Sequence, residues 1–192
     1  MPARGLAVLA AHAALLLGGL LAPAAHAAPT ESATGGVEPT LVAPAPITSA
    51  PEATVTRAVL AADRRTATAP AGAPAAVAKA IAAANRISDK PYRWGGGHGR
   101  WEDAGYDCSG TVSYVLHHAG LLAVARDSSD LMGFGRSGRG RWITVYAHGG
   151  HAYIDIAGLR FDTAGGRGED GPRWRAERAG AAGYAVRHPA AL

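Results

Sequence analysis

The sequence predicts an α+β domain in which two helices precede an antiparallel sheet. Three observations indicate this fold class. Apolar residues repeat at helical spacing before residue 120, and short strand-like segments separated by Gly-containing turns follow after residue 140. All four Trp, all six Tyr and both Phe lie at or beyond Tyr92, so the core is expected in the C-terminal part. Leading helices followed by a run of strands are typical of α+β domains.

The chain before this domain divides into two segments. Met1–Ala27 combines Arg4, an apolar run and a small-residue cleavage site, which is the pattern of a secretory signal peptide. A retained membrane anchor is the alternative, but the apolar run is short for a bilayer span. Ala28–Ala75 consists mainly of Ala, Pro, Thr and Ser, and we expect a disordered linker. The folded domain is then expected to occupy Ala76–Leu192.

Charge and cysteine content limit the classes of function. The formal net charge is +4, and Arg4 is the one charge of the predicted signal peptide, so the mature chain would carry +3. This mild excess favours an anionic surface, but the basic residues form no dense block of the kind that binds nucleic acid. A single cysteine in a secreted chain cannot form an internal disulfide, so the fold must depend on its core.

The individual elements follow from local patterns. A short helix is predicted over Ala76–Asn85, with Val77, Ile81 and Ala84 on one face. Pro91–Gly97 is a glycine-rich loop that permits close approach of backbone or substrate. Leu121–Gly140 is predicted as a long loop, and such loops are often functional. Four strands are predicted, at Arg141–Ala147, His151–Ala157, Leu159–Ala164 and Tyr184–Arg187.

Cys108 is the candidate nucleophile. It lies in the run Tyr106–Gly110, directly ahead of a helical pattern, with Asp107 suited to the N-cap and Gly120 suited to end the helix. Unpaired N–H groups and the helix dipole favour a thiolate at such a position. Four apolar residues share its helix face: Val112, Val115, Leu116 and Ala119. The alternatives are a buried small side chain or a partner in an intermolecular disulfide.

His151, which opens a predicted strand, is the candidate base. A histidine can take the proton of a thiol and later return it to a leaving amine. His148, which precedes Gly149-Gly150 on the loop side, is the competing candidate.

Strand register points to Asp162 as the group that orients His151. If Ala157-Gly158 is a two-residue turn, Ile156 pairs with Leu159, and Asp162 shares a sheet face with His151. A loop of odd length would reverse this relation. Asp155 lies on the same face, but four residues along a strand place it about 13 Å from His151. A Cys–His–Asp arrangement is the prediction.

Together these residues resemble the NlpC-type cell-wall cysteine peptidases. The resemblance covers roughly Ala76–His188 and is carried by Pro91–Gly96, Asp107–Gly110 and the Gly150-His151 strand start. It implies a papain-like α+β core, with a nucleophile helix in its N-terminal half packed on the antiparallel sheet. It also implies hydrolysis of peptidoglycan stem peptides, commonly between γ-linked D-glutamate and a diamino acid, by a secreted or cell-wall-associated enzyme.

The resemblance also implies residue roles. Cys108 would be the nucleophile and His151 the base, Tyr92 would lie near the oxyanion site, and Asp107 and Ser109 would line the pocket for the peptide amine. No cofactor and no metal ion are expected. A third polar residue that is often histidine in the family is Asp162 here, and the loop containing His98, Arg100, Trp101 and Glu102 is longer than usual in the family.

Two other classes of function stay open at this point. His148 and Asp155 have the spacing of D-alanyl dipeptidase-type zinc sites, with His151 between them, and His188 follows downstream. This alternative leaves Cys108 without a role. The second alternative is a catalytically silent wall-binding module, which would hold Cys108 and His151 apart.

Overall fold

Three helices and two antiparallel sheets make up the part of the chain that the computed structural model describes, which is residues 57–165, 171–176 and 179–192. The predicted signal peptide and residues 28–56 of the predicted linker lie outside the described residues. Across the described ranges, no helix has the length and apolar character that a bilayer crossing requires. The α+β prediction is confirmed.

The first helix, α1, spans Ala75–Ile87 and matches the predicted segment closely. Its predicted face is buried, because Val77, Ile81 and Ala84 all lie in the core. Asn85 on this helix connects distant parts of the fold: its Oδ1 accepts hydrogen bonds from the Ala67 N–H and the Trp174 indole, and its Nδ2 donates to the Ala67 carbonyl.

The second helix, α2, spans Cys108–His118 and carries the cysteine at its first position. The side chain of Asp107 caps it by accepting the Gly110 N–H, as predicted. Gly120 ends it with a positive φ of 75°, and the Leu121 N–H bonds back to the Leu116 carbonyl, a C-terminal glycine motif. The helix packs against α1 and the central strand β5, His151–Ile156. A short third helix, α3, covers Ser128–Leu131 within the predicted long loop.

The main sheet has six strands in the order β3-β8-β4-β5-β6-β7, and every neighbouring pair is antiparallel. The four predicted strands are present, as β4 (Ile143–His148), β5, β6 (Leu159–Asp162) and β8 (Ala185–His188). Two short strands were not predicted, β3 (Arg136–Ser137) and β7 (Arg173–Arg175). Both lie at edges of the sheet, where few residues pair and the sequence signal is correspondingly weak.

Two tight hairpins set the register of the central strands. Gly149-Gly150 joins β4 to β5, so His148 faces His151 across the turn. Ala157-Gly158 joins β5 to β6, and Ile156 pairs with Leu159, as predicted. Ala157 and Gly158 have positive φ, 46° and 81°, which is the geometry of the two-residue hairpin turns that match strand twist. The loop between β5 and β6 therefore has an even length, which puts Asp162 of β6 on the same face of the sheet as His151.

The boundary expected at Ala75 is wrong for the last part of the linker. Residues 57–74 carry a small hairpin, β1 (Val59–Leu60) with β2 (Ala67–Thr68), that packs on the domain. Ala58 and Ala67 are buried in the same core cluster as α1 and the main sheet, and the Ala58 N–H bonds to the Ala157 carbonyl. The composition predicts disorder because residues 57–74 contain too few large apolar residues to fold alone. Their contacts with the rest of the domain order them instead.

Candidate active site

The candidate nucleophile, Cys108, is partly exposed at the start of α2, where the glycine-rich loop approaches the helix. The Asp107 N–H bonds to the Gly96 carbonyl. A side chain at Gly96 would collide with the backbone of Gly105, and one at Gly110 would collide with that of Gly96. These glycines therefore allow the loop and the first turn of α2 to pack backbone against backbone, which fixes the position of Cys108.

His151 and Asp162 form the pair that strand parity predicted. His151 Nε2 lies 2.9 Å from Asp162 Oδ1, and Asp162 is completely buried. Only 19% of the His151 side chain is exposed. Because Nε2 is held by Asp162, Nδ1 is the ring nitrogen left to face Cys108. The three predicted residues thus come together from α2, β5 and β6.

Three further donors hold the Asp162 carboxylate in place. The Ala164 N–H bonds to Oδ1 at 2.9 Å, and Arg160 binds Oδ2 through Nε, at 2.8 Å, and through a terminal nitrogen. Burial by itself raises the pKa of Asp162, but the hydrogen bonds from His151 and Ala164 and the charge of Arg160 outweigh it and hold the pKa below 3.8. Asp162 is therefore an anion throughout the neutral range.

The environment of His151 favours its protonated form. The hydrogen bond to Asp162, followed by the one to Cys108, raises the pKa of His151 from 6.5 to about 9, against the opposing effect of burial. Near neutral pH the residue is therefore an imidazolium with an anionic carboxylate behind it. Such a group stabilises a thiolate and can donate a proton.

The competing histidine, His148, is engaged elsewhere. Its Nδ1 accepts the Gly150 N–H within the turn, at 3.0 Å, and its ring packs against that of Tyr184 with centroids 4.6 Å apart. The rings of His148 and His151 are 6.4 Å apart. Cys108 contacts His151, and this contact helps to raise the pKa of His151.

An open cleft of about 310 Å³ lies over Cys108. Its lining comes from the glycine-rich loop, the start of α2, the start of α3 and the β4–β5 turn. Asp107 and Ser109, expected to line the substrate pocket, both border it. Trp94, 87% exposed, also borders it and offers an aromatic face to solvent.

Tyr92 and Asp155 lie apart from this cleft. Tyr92 pairs with Tyr106 in an isolated parallel bridge shortly before Cys108, but it is not among the residues that line the cleft, so its predicted oxyanion role stays a prediction. Asp155 borders a different pocket, together with Arg139 and Trp142. Among the residues that the structure describes, no group of three His, Cys, Asp or Glu side chains is placed to hold a metal ion.

Several residues of this region were not predicted from the sequence. Arg160 could have been found, because it precedes Asp162 by two residues and strand alternation puts both on one face. The sequence indicates His98 only as part of a long loop, yet His98 borders the cleft and bonds to Asp107. Tyr184, which packs against His148 and Tyr153, carries no signal of its own in the sequence.

No model of a known protein family matches the chain, and no curated protein gives a significant match to it. The residues of the cleft therefore carry the functional conclusion.

Proposed function

We propose that the protein is a secreted cysteine peptidase that cleaves a peptide bond in peptidoglycan stem peptides. The observation that carries this proposal is the convergence of a helix-N-terminal Cys108, a protonated His151 and a buried Asp162 beside an open cleft. A structural cysteine would need no histidine beside it and no carboxylate behind that histidine. A nucleophile, a proton carrier and an orienting anion are the groups that amide hydrolysis by a cysteine requires.

The proposed reaction has two steps. The Cys108 sulfur attacks the carbonyl carbon of the scissile amide, the C–N bond breaks, and His151 gives its proton to the departing amine. A thioester to Cys108 remains. Water then attacks the thioester, His151 takes a proton from that water, and the C–S bond breaks to release the acid and restore the thiolate–imidazolium pair.

Two features of the fold assist these steps. The N-terminus of α2 puts partial positive charge beside the carbonyl oxygen as negative charge develops on it. Asp162 keeps Nδ1 of His151 directed at the sulfur and stabilises the imidazolium. A papain-like core is part of this proposal, supported by a nucleophile helix that packs against the antiparallel strand bearing the histidine.

The substrate class is proposed from the motifs. The Asp107–Gly110 box and the Gly150-His151 strand start resemble those of NlpC-type enzymes, for which a γ-D-glutamyl–diamino acid bond is the common target. Export through the predicted signal peptide would deliver the domain to the wall, and the mild positive charge of the chain favours binding there.

The two alternatives fit the site less well. A zinc peptidase would use His148, His151 and Asp155, but His151 is bound to Asp162, and Asp155 borders a separate pocket. A silent binding module needs no contact between Cys108 and His151, yet the two are in contact.

Product analysis tests the proposal. Purified muropeptides are incubated with the mature domain, with and without EDTA, and new free amino termini are identified by mass spectrometry. We expect cleavage within the stem peptide that EDTA leaves unchanged and a thiol alkylator abolishes. Cleavage that EDTA stops and alkylation spares would support the zinc alternative, and an unchanged muropeptide profile would contradict a hydrolase.

A further inference from the structure

A second histidine–carboxylate pair borders the same cleft as Cys108. His98 Nε2 is 3.1 Å from Asp107 Oδ1 and 3.2 Å from Ser109 Oγ, and all three residues border the cleft. His98 comes from the long loop between the glycine-rich segment and α2. The main reaction proposed above assigns no role to it.

The Asp107 carboxylate already accepts four hydrogen bonds from the protein, three of them at Oδ1. A carboxylate offers about four lone-pair positions. Oδ1 accepts from the Gly110 N–H, the Ser109 hydroxyl and His98, and Oδ2 accepts from the Gly95 N–H at 3.0 Å. Asp107 is also only 7% exposed. Burial tends to raise its pKa, but these donors, with His98 first among them, lower it below 3.8, so the group is an anion that the protein has already paired.

The position of this pair gives it influence over the substrate. Asp107 and Cys108 are chain neighbours, with Cα atoms about 3.8 Å apart, so a group held at Asp107 lies within one or two residues of the attacked bond. An unpaired carboxylate there would bind the ammonium of a free amino terminus. In this protein the His98 imidazole already takes that place. Asp127 also borders the cleft, but it is exposed and caps α3, and an exposed carboxylate holds a cation weakly.

We propose that His98 is a specificity-determining residue that fills the anionic subsite beside Cys108, so that the cleft takes peptides whose amino end is acylated rather than free. This inference rests on the proposed function, because it names the form of stem peptide that the site accepts. Stem peptides still amide-linked to their glycan belong to the acylated class, whereas peptides already released from it carry a free ammonium. A free ammonium would have to displace His98, and a protonated His98 would also repel it.

The surroundings of His98 favour its protonated form. Its hydrogen bond to Asp107 raises its pKa above 6.5, against burial and with help from the nearby Asp127. The neutral imidazole would still occupy Asp107 through Nε2–H, so occupancy of the subsite does not depend on the charge alone.

The test compares two matched peptides, L-Ala-γ-D-Glu-meso-diaminopimelate and its N-acetyl form. Hydrolysis is measured with the unaltered protein, with His98→Ala, and with His98→Gln, whose amide can still donate to Asp107. His188→Ala is the matched control, because His188 lies on β8 and bonds to the Gly138 carbonyl, outside the residues that line the cleft. Binding of both peptides to Cys108→Ala, with and without His98→Ala, is measured by calorimetry.

We expect the unaltered protein to prefer the N-acetyl peptide by about tenfold in kcat/KM, the size of one charge-assisted hydrogen bond. His98→Ala should remove or reverse this preference, His98→Gln should retain part of it, and His188→Ala should leave it intact. Equal use of both peptides by the unaltered protein, or a preference that His98→Ala does not change, would overturn the inference. Binding in the Cys108→Ala background separates the two proposals. If this variant binds the N-acetyl peptide selectively but the unaltered protein hydrolyses neither peptide, the peptidase proposal is contradicted and the subsite proposal is retained. If the variant binds both peptides equally, or neither, the subsite proposal is contradicted.

Discussion

Replacing Asp162 with asparagine tests the part of the site that depends on strand register. The carboxylate is completely buried and accepts hydrogen bonds from His151, Ala164 and Arg160. Asparagine has nearly the same shape, but it carries no charge and offers one acceptor oxygen and one NH₂ group. If the oxygen stays with His151, the NH₂ group faces the Arg160 guanidinium; if it turns to Arg160, the NH₂ group faces His151. Either way the imidazolium loses its anion.

The expected fall in kcat for Asp162→Asn can be estimated from the pKa of His151. A rise in the pKa of His151 from 6.5 to about 9 corresponds to about 3 kcal/mol in favour of the imidazolium. Cys108 supplies part of this, and solvent reaches part of the ring, so about 1–2 kcal/mol is a reasonable share for Asp162. Asparagine also permits the wrong tautomer of His151. The two effects together predict a fall in kcat of about 10²- to 10⁴-fold.

The assay is kcat on one muropeptide for Asp162→Asn and for Asp155→Asn, with folding checked by circular dichroism. Asp155 is the matched control, because it is a strand carboxylate of the same sheet that borders another pocket. We expect Asp155→Asn to change kcat by less than about threefold, within the usual range for a residue away from the chemistry. A severe defect in Asp155→Asn beside a mild one in Asp162→Asn would refute the assignment of Asp162 as the residue that orients His151.

Three other predictions concern pH, substrate contact and stability. Since the pKa of His151 is raised on folding, the contribution of His151 to stability is complete below pH 6.5 and is lost as the pH rises through about 9. Urea unfolding at pH 6 and pH 9.5 should show this loss of stability, and the loss should be smaller in His151→Gln. An equal loss in the variant would assign the pH dependence to other groups. Trp94→Ala should raise KM several-fold with kcat and melting temperature nearly unchanged, because the ring is exposed at the cleft; an unchanged KM would exclude contact with substrate. A chain that starts at Ala75 should be less stable than one that starts at Arg57 by about 3 kcal/mol, because it lacks the buried hairpin and its hydrogen bonds to Asn85; equal urea midpoints would show that the hairpin contributes nothing.

Local chemistry made the helices and the main hairpins predictable. The cap at Asp107 and the stop at Gly120 are decided by residues within one turn of each helix end, so the sequence contains all that is needed. The same holds for Ala157-Gly158: two residues with positive φ fix the hairpin parity, and parity alone puts Asp162 on the face of His151.

Features that depend on distant partners could not be predicted in this way. The β1–β2 hairpin is ordered by the Asn85 side chain and by Ala157, which lie 18 or more residues away. His98 reaches Asp107 only because the loop folds back over α2, and no periodicity indicates that path. The sequence therefore identified the three candidate catalytic residues but not His98, which we propose selects the substrate.

The most direct test of the central claim is the hydrolysis of a single muropeptide by the unaltered domain, by Cys108→Ala and by Cys108→Ser, measured as kcat/KM by mass spectrometry. We expect stem-peptide cleavage by the unaltered domain and loss of turnover in both variants, with the fold intact. An alcohol beside the same histidine is far less ionised than a thiol, and alanine has no nucleophile. Turnover retained in either variant, together with inhibition by EDTA, would contradict a cysteine nucleophile and support metal-dependent hydrolysis.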